Sequence, residues 1–152
     1  MNKDLQTAKK TVQTEIQALK KLSSSFNRSS HFSKAVNLLF KMKGKCLVVG
    51  VGKSYLVSLK VSATLSSLGT PSIAFSANDL QHGGLGVIQK NNDVLLIFSV
   101  SGESSELNSI LRYANRHNIS VIGVSCKATS MLLRYSTIKI VLPKVVEAGY
   151  SL

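Results

Sequence analysis

The sequence predicts an α/β fold, a three-layer αβα sandwich built on a parallel sheet and preceded by an N-terminal helical hairpin. Three observations carry this: short apolar runs that end in glycine, helical periodicity between those runs, and stop signals at the junctions. With 152 residues, 44% of them hydrophobic, the chain is about one ordinary domain with enough apolar side chains for a core. Ten glycines and two cysteines are too few for a collagen-like or disulfide-stapled chain, and a disordered chain would be less hydrophobic.

The elements follow in order. Leu5, Ala8, Val12, Ile16, Leu19, Leu22 and Phe26 are spaced by threes and fours, which places one apolar stripe on a long helix. Ser23, Ser24, Ser25 and residues 27–30 are expected to interrupt it. Phe32, Val36, Leu39 and Phe40 then begin a second helix ending near Gly44. Residues 1–43 are therefore expected to be helices packing on a domain formed by residues 44–152.

After Gly44 the pattern changes. Cys46, Leu47, Val48 and Val49 form a continuous apolar run, the mark of a strand covered on both faces. A helix through Leu56, Leu59, Ala63 and Leu65 stops at Gly69, before Pro71. Residues 73–75 read as a second strand, residues 78–86 (NDLQHGGLG) as a loop, and residues 93–98 as a third strand. A helix through Leu107, Ile110, Leu111 and Ala114 runs to about His117. A strand at 119–124, a short helix at 130–134 and a strand at 138–142 complete the series.

The formal charge of +12 invites a nucleic-acid reading, but its distribution argues against one. Residues 1–60 hold 12 Lys/Arg and 2 Asp/Glu, whereas residues 61–152 hold 7 and 5. The excess is confined to the N-terminal segments, without interleaved aromatics, and reads as a solvated helix face. No apolar run approaches the roughly 20 residues that span a bilayer, and the polar N-terminus is not a secretory signal. The expectation is a cytoplasmic protein with neither nucleic-acid nor membrane partners. Cys46 and Cys126 lie in apolar surroundings at no metal spacing, so buried thiols are expected and neither metal nor cofactor is.

Ligands of open α/β sheets bind at the carboxyl ends of strands, where strand order reverses. Two segments fit that place. In residues 50–54 (GVGKS), Gly52 lets backbone approach a ligand, Ser54 adds a hydroxyl, Lys53 adds a positive charge, and a new helix points its free N–H groups outward. The P-loop and dinucleotide patterns both fail here, because Leu47 and Tyr55 stand where glycine or another small residue is required. In residues 99–104 (SVSGES), Ser99, Ser101 and Ser104, with Gly102 and Glu103, surround another helix start. Hydroxyl and backbone donors there suit a phosphate monoester, although Ser104 and Glu103 also fit plain capping. Two such turns in one sheet favour a phosphorylated small molecule. For a general base, Glu106 is expected one turn inside the following helix, either facing the ligand or simply exposed. His82 is the one histidine placed in a loop, where binding groups concentrate, whereas His31 and His117 fall at helix ends.

At these residues the chain resembles the sugar isomerase (SIS) domain family, and within it the arabinose-5-phosphate isomerases of the Kdo pathway. The matching stretches are GVGKS (50–54), LGTPS (68–72), LQHGGLGVI (80–88), NDVLLIFSVSGESSEL (92–107) and VVEAGYSL (145–152). The resemblance implies interconversion of ribulose 5-phosphate and arabinose 5-phosphate through an enediol, feeding lipopolysaccharide synthesis, in a homo-oligomer. By matching position it implies that Lys53 binds or polarises the substrate, Ser99, Ser101 and Ser104 hold phosphate, and Glu106 takes part in acid-base chemistry. His82 corresponds to the family's loop histidine and Glu147 to a glutamate near the domain's end.

The chain departs from the family pattern at Tyr55, Gly84 and residues 149–151. It ends at Leu152, where family members continue with a phosphate-binding segment, a further helix and often two CBS modules; the expectation is a C-terminally truncated domain without those modules. A noncatalytic or vestigial sugar-phosphate-binding module is the alternative reading.

Overall fold

Strand β1 (Cys46–Gly50) is buried along all five residues, as an apolar run covered on both faces must be. Its neighbours are β2 (Ser72–Ser76) and β3 (Val94–Phe98), and β4 (Ser120–Ser125) and β5 (Ile138–Val141) extend the sheet. The order is β2-β1-β3-β4-β5 and every pairing is parallel. Strand order reverses between β1 and β3. The helices are α1 (Lys3–Phe26), α2 (His31–Lys41), α3 (Lys53–Ser67), α4 (Ala77–Gln81), α5 (Leu107–Arg116) and α6 (Met131–Arg134), with a 3-10 turn at Gly84–Val87. This computed structural model describes residues 2–26 and 30–149. The expected three-layer α/β architecture is present, and both expected N-terminal helices form.

The chain divides into two compact units, residues 1–30 with 142–152, and residues 31–141. Helix α2 therefore belongs with the sheet. In the sheet unit, alternate strand residues Leu47, Val49, Leu95, Ile97 and Val121 pack on Leu107, Ile110, Leu111 and Ala114 of α5 and on Leu132 and Leu133 of α6. This face holds the main apolar core. Burial of each such side chain removes it from water at about 1.5–3 kcal/mol.

The opposite face is covered differently. Helix α3 buries Ser58 and Ser62 and exposes Leu56, Val57 and Leu59. The polar side faces the sheet because its hydroxyls are satisfied locally. Ser58 Oγ donates to the Ser54 carbonyl at 2.9 Å, and Ser62 Oγ donates to Ser72 Oγ of β2 at 3.4 Å, which in turn donates to the Ser62 carbonyl at 2.7 Å. Small side chains on both surfaces allow close approach, and a hydrogen-bonded serine costs little to bury.

Three expectations change. Ser23, Ser24 and Ser25 do not interrupt α1, which continues to Phe26. Ser24 Oγ returns to the Lys20 carbonyl at 3.0 Å and Ser25 Oγ to the Leu22 carbonyl at 2.6 Å, so the hydroxyls are accommodated inside the helix. The expected break at 27–29 lies outside the described residues. The supposed loop at 78–86 contains most of α4 and the start of the 3-10 turn, anchored by the fully buried Ala77 and Leu80. Glu106 is not one turn inside α5; it immediately precedes Leu107, the first residue of that helix.

Candidate functional site

Gly50, the last residue of β1, is in register with Phe98, the last residue of β3. The two segments singled out in the sequence therefore leave adjacent strand ends at the reversal point, where open α/β sheets bind ligands. The first turns sharply. Gly52 has φ 53° and ψ −122°, a conformation that is strained for any residue with a Cβ, and it leads directly into α3. Lys53 is the first residue of that helix and is exposed, and Ser54 is partly buried beside it. An anion at this corner meets a helix N-terminus and a lysine.

The second segment is braced from within and from below. Ser99 is buried, and its Oγ accepts the Gly102 N–H at 3.1 Å and lies 3.4 Å from Ser104 Oγ. Ser101 is exposed; its Oγ accepts the Glu103 N–H at 3.3 Å, which leaves the hydroxyl proton to donate. Gly102 has φ 66°, and a Cβ there would collide with the side chain of Ser130 and stand 2.9 Å from Ser125 Oγ. The Leu132 N–H reaches the Gly102 carbonyl at 2.9 Å, and Ser125 Oγ reaches the Val100 carbonyl at 3.0 Å. The last residue of β4 and the segment after it thus hold the serine loop in shape.

Glu103 belongs to this bracing. One carboxylate oxygen lies 2.7 Å from Lys127 Nζ, and the other accepts the Met131 N–H at 3.4 Å. The bond from Lys127 is the main reason its carboxyl is held below the usual carboxylate range. Glu106 accepts the Ser105 hydroxyl at 3.2 Å, and its backbone carbonyl accepts the side-chain amide of Gln81. That last bond ties the end of α4, and so the residue next to His82, to the start of α5. His82 itself closes α4 and is exposed.

Strands β2 and β3 are not neighbours, yet α4 packs on α5 and brings the residue preceding His82 into contact with Glu106. Glu147 is exposed and belongs to the other compact unit. Gln81, Ser125, Lys127 and Ser130 were not foreseen from sequence. Each acts on a loop about 25 residues away, and no local pattern marks such a contact.

Among the described residues no three His, Cys, Asp or Glu side chains cluster closely enough to hold a metal ion, and no helix is long and apolar enough to cross a membrane. Cys46 and Cys126 are both free. Burial, helped by the nearby negative charge of Asp93, pushes the Cys46 thiol up to about 12.

The SIS domain pattern matches residues 38–152. The chain belongs to the SIS domain family. Among its relatives is a Francisella tularensis protein named arabinose 5-phosphate isomerase KdsD, 33% identical over 141 residues, which are 91% of this chain and 42% of that protein. A Shigella flexneri protein named arabinose 5-phosphate isomerase GutQ is 34% identical over 128 residues, 84% of this chain and 39% of its own length. The SIS chain thus spans about two fifths of the length of these curated relatives. Among solved structures, an Escherichia coli CFT073 protein in complex with arabinose 5-phosphate superimposes with a TM-score of 0.90 at 28% identity, covering 98% of this chain and 79% of that one.

Proposed function

We propose that this SIS domain binds a pentose 5-phosphate and interconverts ribulose 5-phosphate and arabinose 5-phosphate through an enediol, the arabinose 5-phosphate feeding Kdo synthesis for lipopolysaccharide. One observation carries the reading: the lysine corner and the serine loop leave adjacent strand ends, Gly50 beside Phe98, in a chain whose relatives are named arabinose 5-phosphate isomerases.

The geometry supports a division of roles. Ser101 and Ser104 donate their hydroxyl protons to the phosphate oxygens beside the positive end of α5, and Gly102, whose N–H is held by Ser99 Oγ, lets the backbone come close to the ligand. Ser99 and Glu103 keep the loop in shape around that phosphate. Gly52 and Ser54 shape the neighbouring corner, from which Lys53 reaches the sugar carbonyl end. Starting from ribulose 5-phosphate, a base removes a proton from C1 and leaves an enediolate, whose negative charge Lys53 stabilises. The proton returns to C2 while O2 gains a proton and O1 gives one up. Glu106 is assigned the carbon-bound proton and His82 the oxygen-bound one.

The protein works as a homo-oligomer in the cytoplasm. The apolar stripe of α1 supports the first point: Leu5, Val12 and Leu19 are each more than half exposed in the isolated chain. Incubation with ribulose 5-phosphate in deuterium oxide tests the activity. Deuterium entering at the carbon beside the carbonyl, with arabinose 5-phosphate formed, is the expected result. Binding without exchange instead identifies a noncatalytic sugar-phosphate module.

A further inference from the structure

At the opposite end of the sheet, where β3 and β4 begin, lies a cavity of about 160 Å³. Lys41 and Lys43 line it beside Asn91, Asn92, Asp93 and Asn118. It is formed by the α2–β1 connection, the turn before β3 and the turn before β4, so it shares no segment with the lysine corner or the serine loop.

Its charge is unbalanced. Asp93 is the only carboxylate on the wall, and its oxygens are already taken by Lys45 Nζ, the Lys45 N–H and the Gln89 N–H, each at 2.8 Å. Among the described residues the ion pairs are Lys45–Asp93 and Lys127–Glu103, which leaves Lys41 and Lys43 without a carboxylate partner. A separate observation agrees. His117, adjacent to Asn118 of the wall, is held below its ordinary pKa by desolvation and then by the positive charges of Lys90 and Arg116. Positive charge thus converges on this end from three segments. Asn91 and Asn118 adopt left-handed backbone, φ 66° and 53°, at the tips of two of the turns, and asparagine tolerates that conformation while offering a side-chain amide donor.

We propose that this cavity is a second anion site, distinct from the substrate site and independent of the isomerase reading, and that it takes the phosphoryl group of a small molecule. Two lysines supply charge and the asparagine amides supply donors. Its volume is below the roughly 300–1,000 Å³ of pockets that enclose drug-sized ligands, so a compact anion is favoured over a whole nucleotide. A bound anion bridges the α2–β1 connection to the turns that start β3 and β4.

The test is titration of inorganic pyrophosphate into isotopically labelled protein at constant ionic strength, followed by amide resonances. Saturable shifts at Lys43, Asn92 and Asn118 are expected. They should persist in Lys53→Ala and weaken at least tenfold in affinity in the Lys41→Gln/Lys43→Gln double variant. If that variant fails to fold, Lys43→Gln alone should weaken binding at least threefold. Shifts that never saturate, that chloride reproduces, or that vanish with Lys53→Ala overturn the proposal.

Discussion

Gly50 and Phe98 stand side by side as the last residues of adjacent parallel strands, and the lysine corner and the serine loop both begin there. Lys53 is exposed at the head of α3, so its replacement should leave folding stability within about 0.5 kcal/mol while removing the positive charge that stabilises the proposed enediolate. Lys53→Met is expected to lower isomerase turnover by about 100-fold or more with an unchanged melting temperature. Steady-state kinetics alongside thermal unfolding checks both parts.

Gly102 is the position where the serine loop tolerates least change. A Cβ would meet Ser130 and Ser125, and the backbone at φ 66° disfavours any side chain. Gly102→Ala should cost about 1–3 kcal/mol in urea unfolding and weaken sugar-phosphate binding. A variant as stable as the parent would show that the loop is not held against residues 125–130.

Asp93 fixes the start of β3 to the start of β1. Burial alone would raise its pKa, but the Lys45 side-chain bond, the backbone bonds and the Lys45 charge outweigh burial and place the carboxyl below its ordinary 3.8. A depressed folded value means stability that is fully present above the ordinary carboxylate range and lost as pH falls through the folded value. Asp93→Asn should therefore destabilise the fold at pH 7, by about 1–3 kcal/mol for the charge-assisted hydrogen bonds it weakens, with the gap to the parent narrowing below pH 4. Denaturant unfolding across pH 2.5–7 measures it, and a gap that stays constant would contradict the assignment.

The two cysteines should behave oppositely toward a thiol reagent at neutral pH. Cys46 is fully buried, with its thiol pushed up to about 12, and should label only on unfolding. Cys126 is partly exposed and should label in the folded protein. Mass spectrometry after a short pulse of maleimide resolves the two sites.

The strands were legible in the sequence because a parallel sheet buried on both faces needs uninterrupted apolar runs, and Leu47–Val49 or Leu95–Ile97 admits little else. The single-turn helix α4 was not, since five residues give periodicity no room and its anchor is the burial of Ala77 and Leu80 in the assembled core. The orientation of α3 was hidden for a related reason. Its packing surface is made of serines that bond to nearby carbonyls, while its apolar Leu56 and Leu59 are exposed. At the site, the residue types and the two corners could be read locally. The turning of Glu103 toward Lys127, and the tie from Gln81 to Glu106, depend on contacts between segments distant in sequence.

The central claim is that both corners hold one sugar phosphate, the serine loop its phosphate and the lysine corner its carbonyl end. Titration of isotopically labelled protein with arabinose 5-phosphate tests it most directly. The account predicts that amides of residues 52–54 and of residues 99–104 shift together and saturate with a single dissociation constant. Shifts confined to one corner, or two corners titrating with different constants, would contradict it.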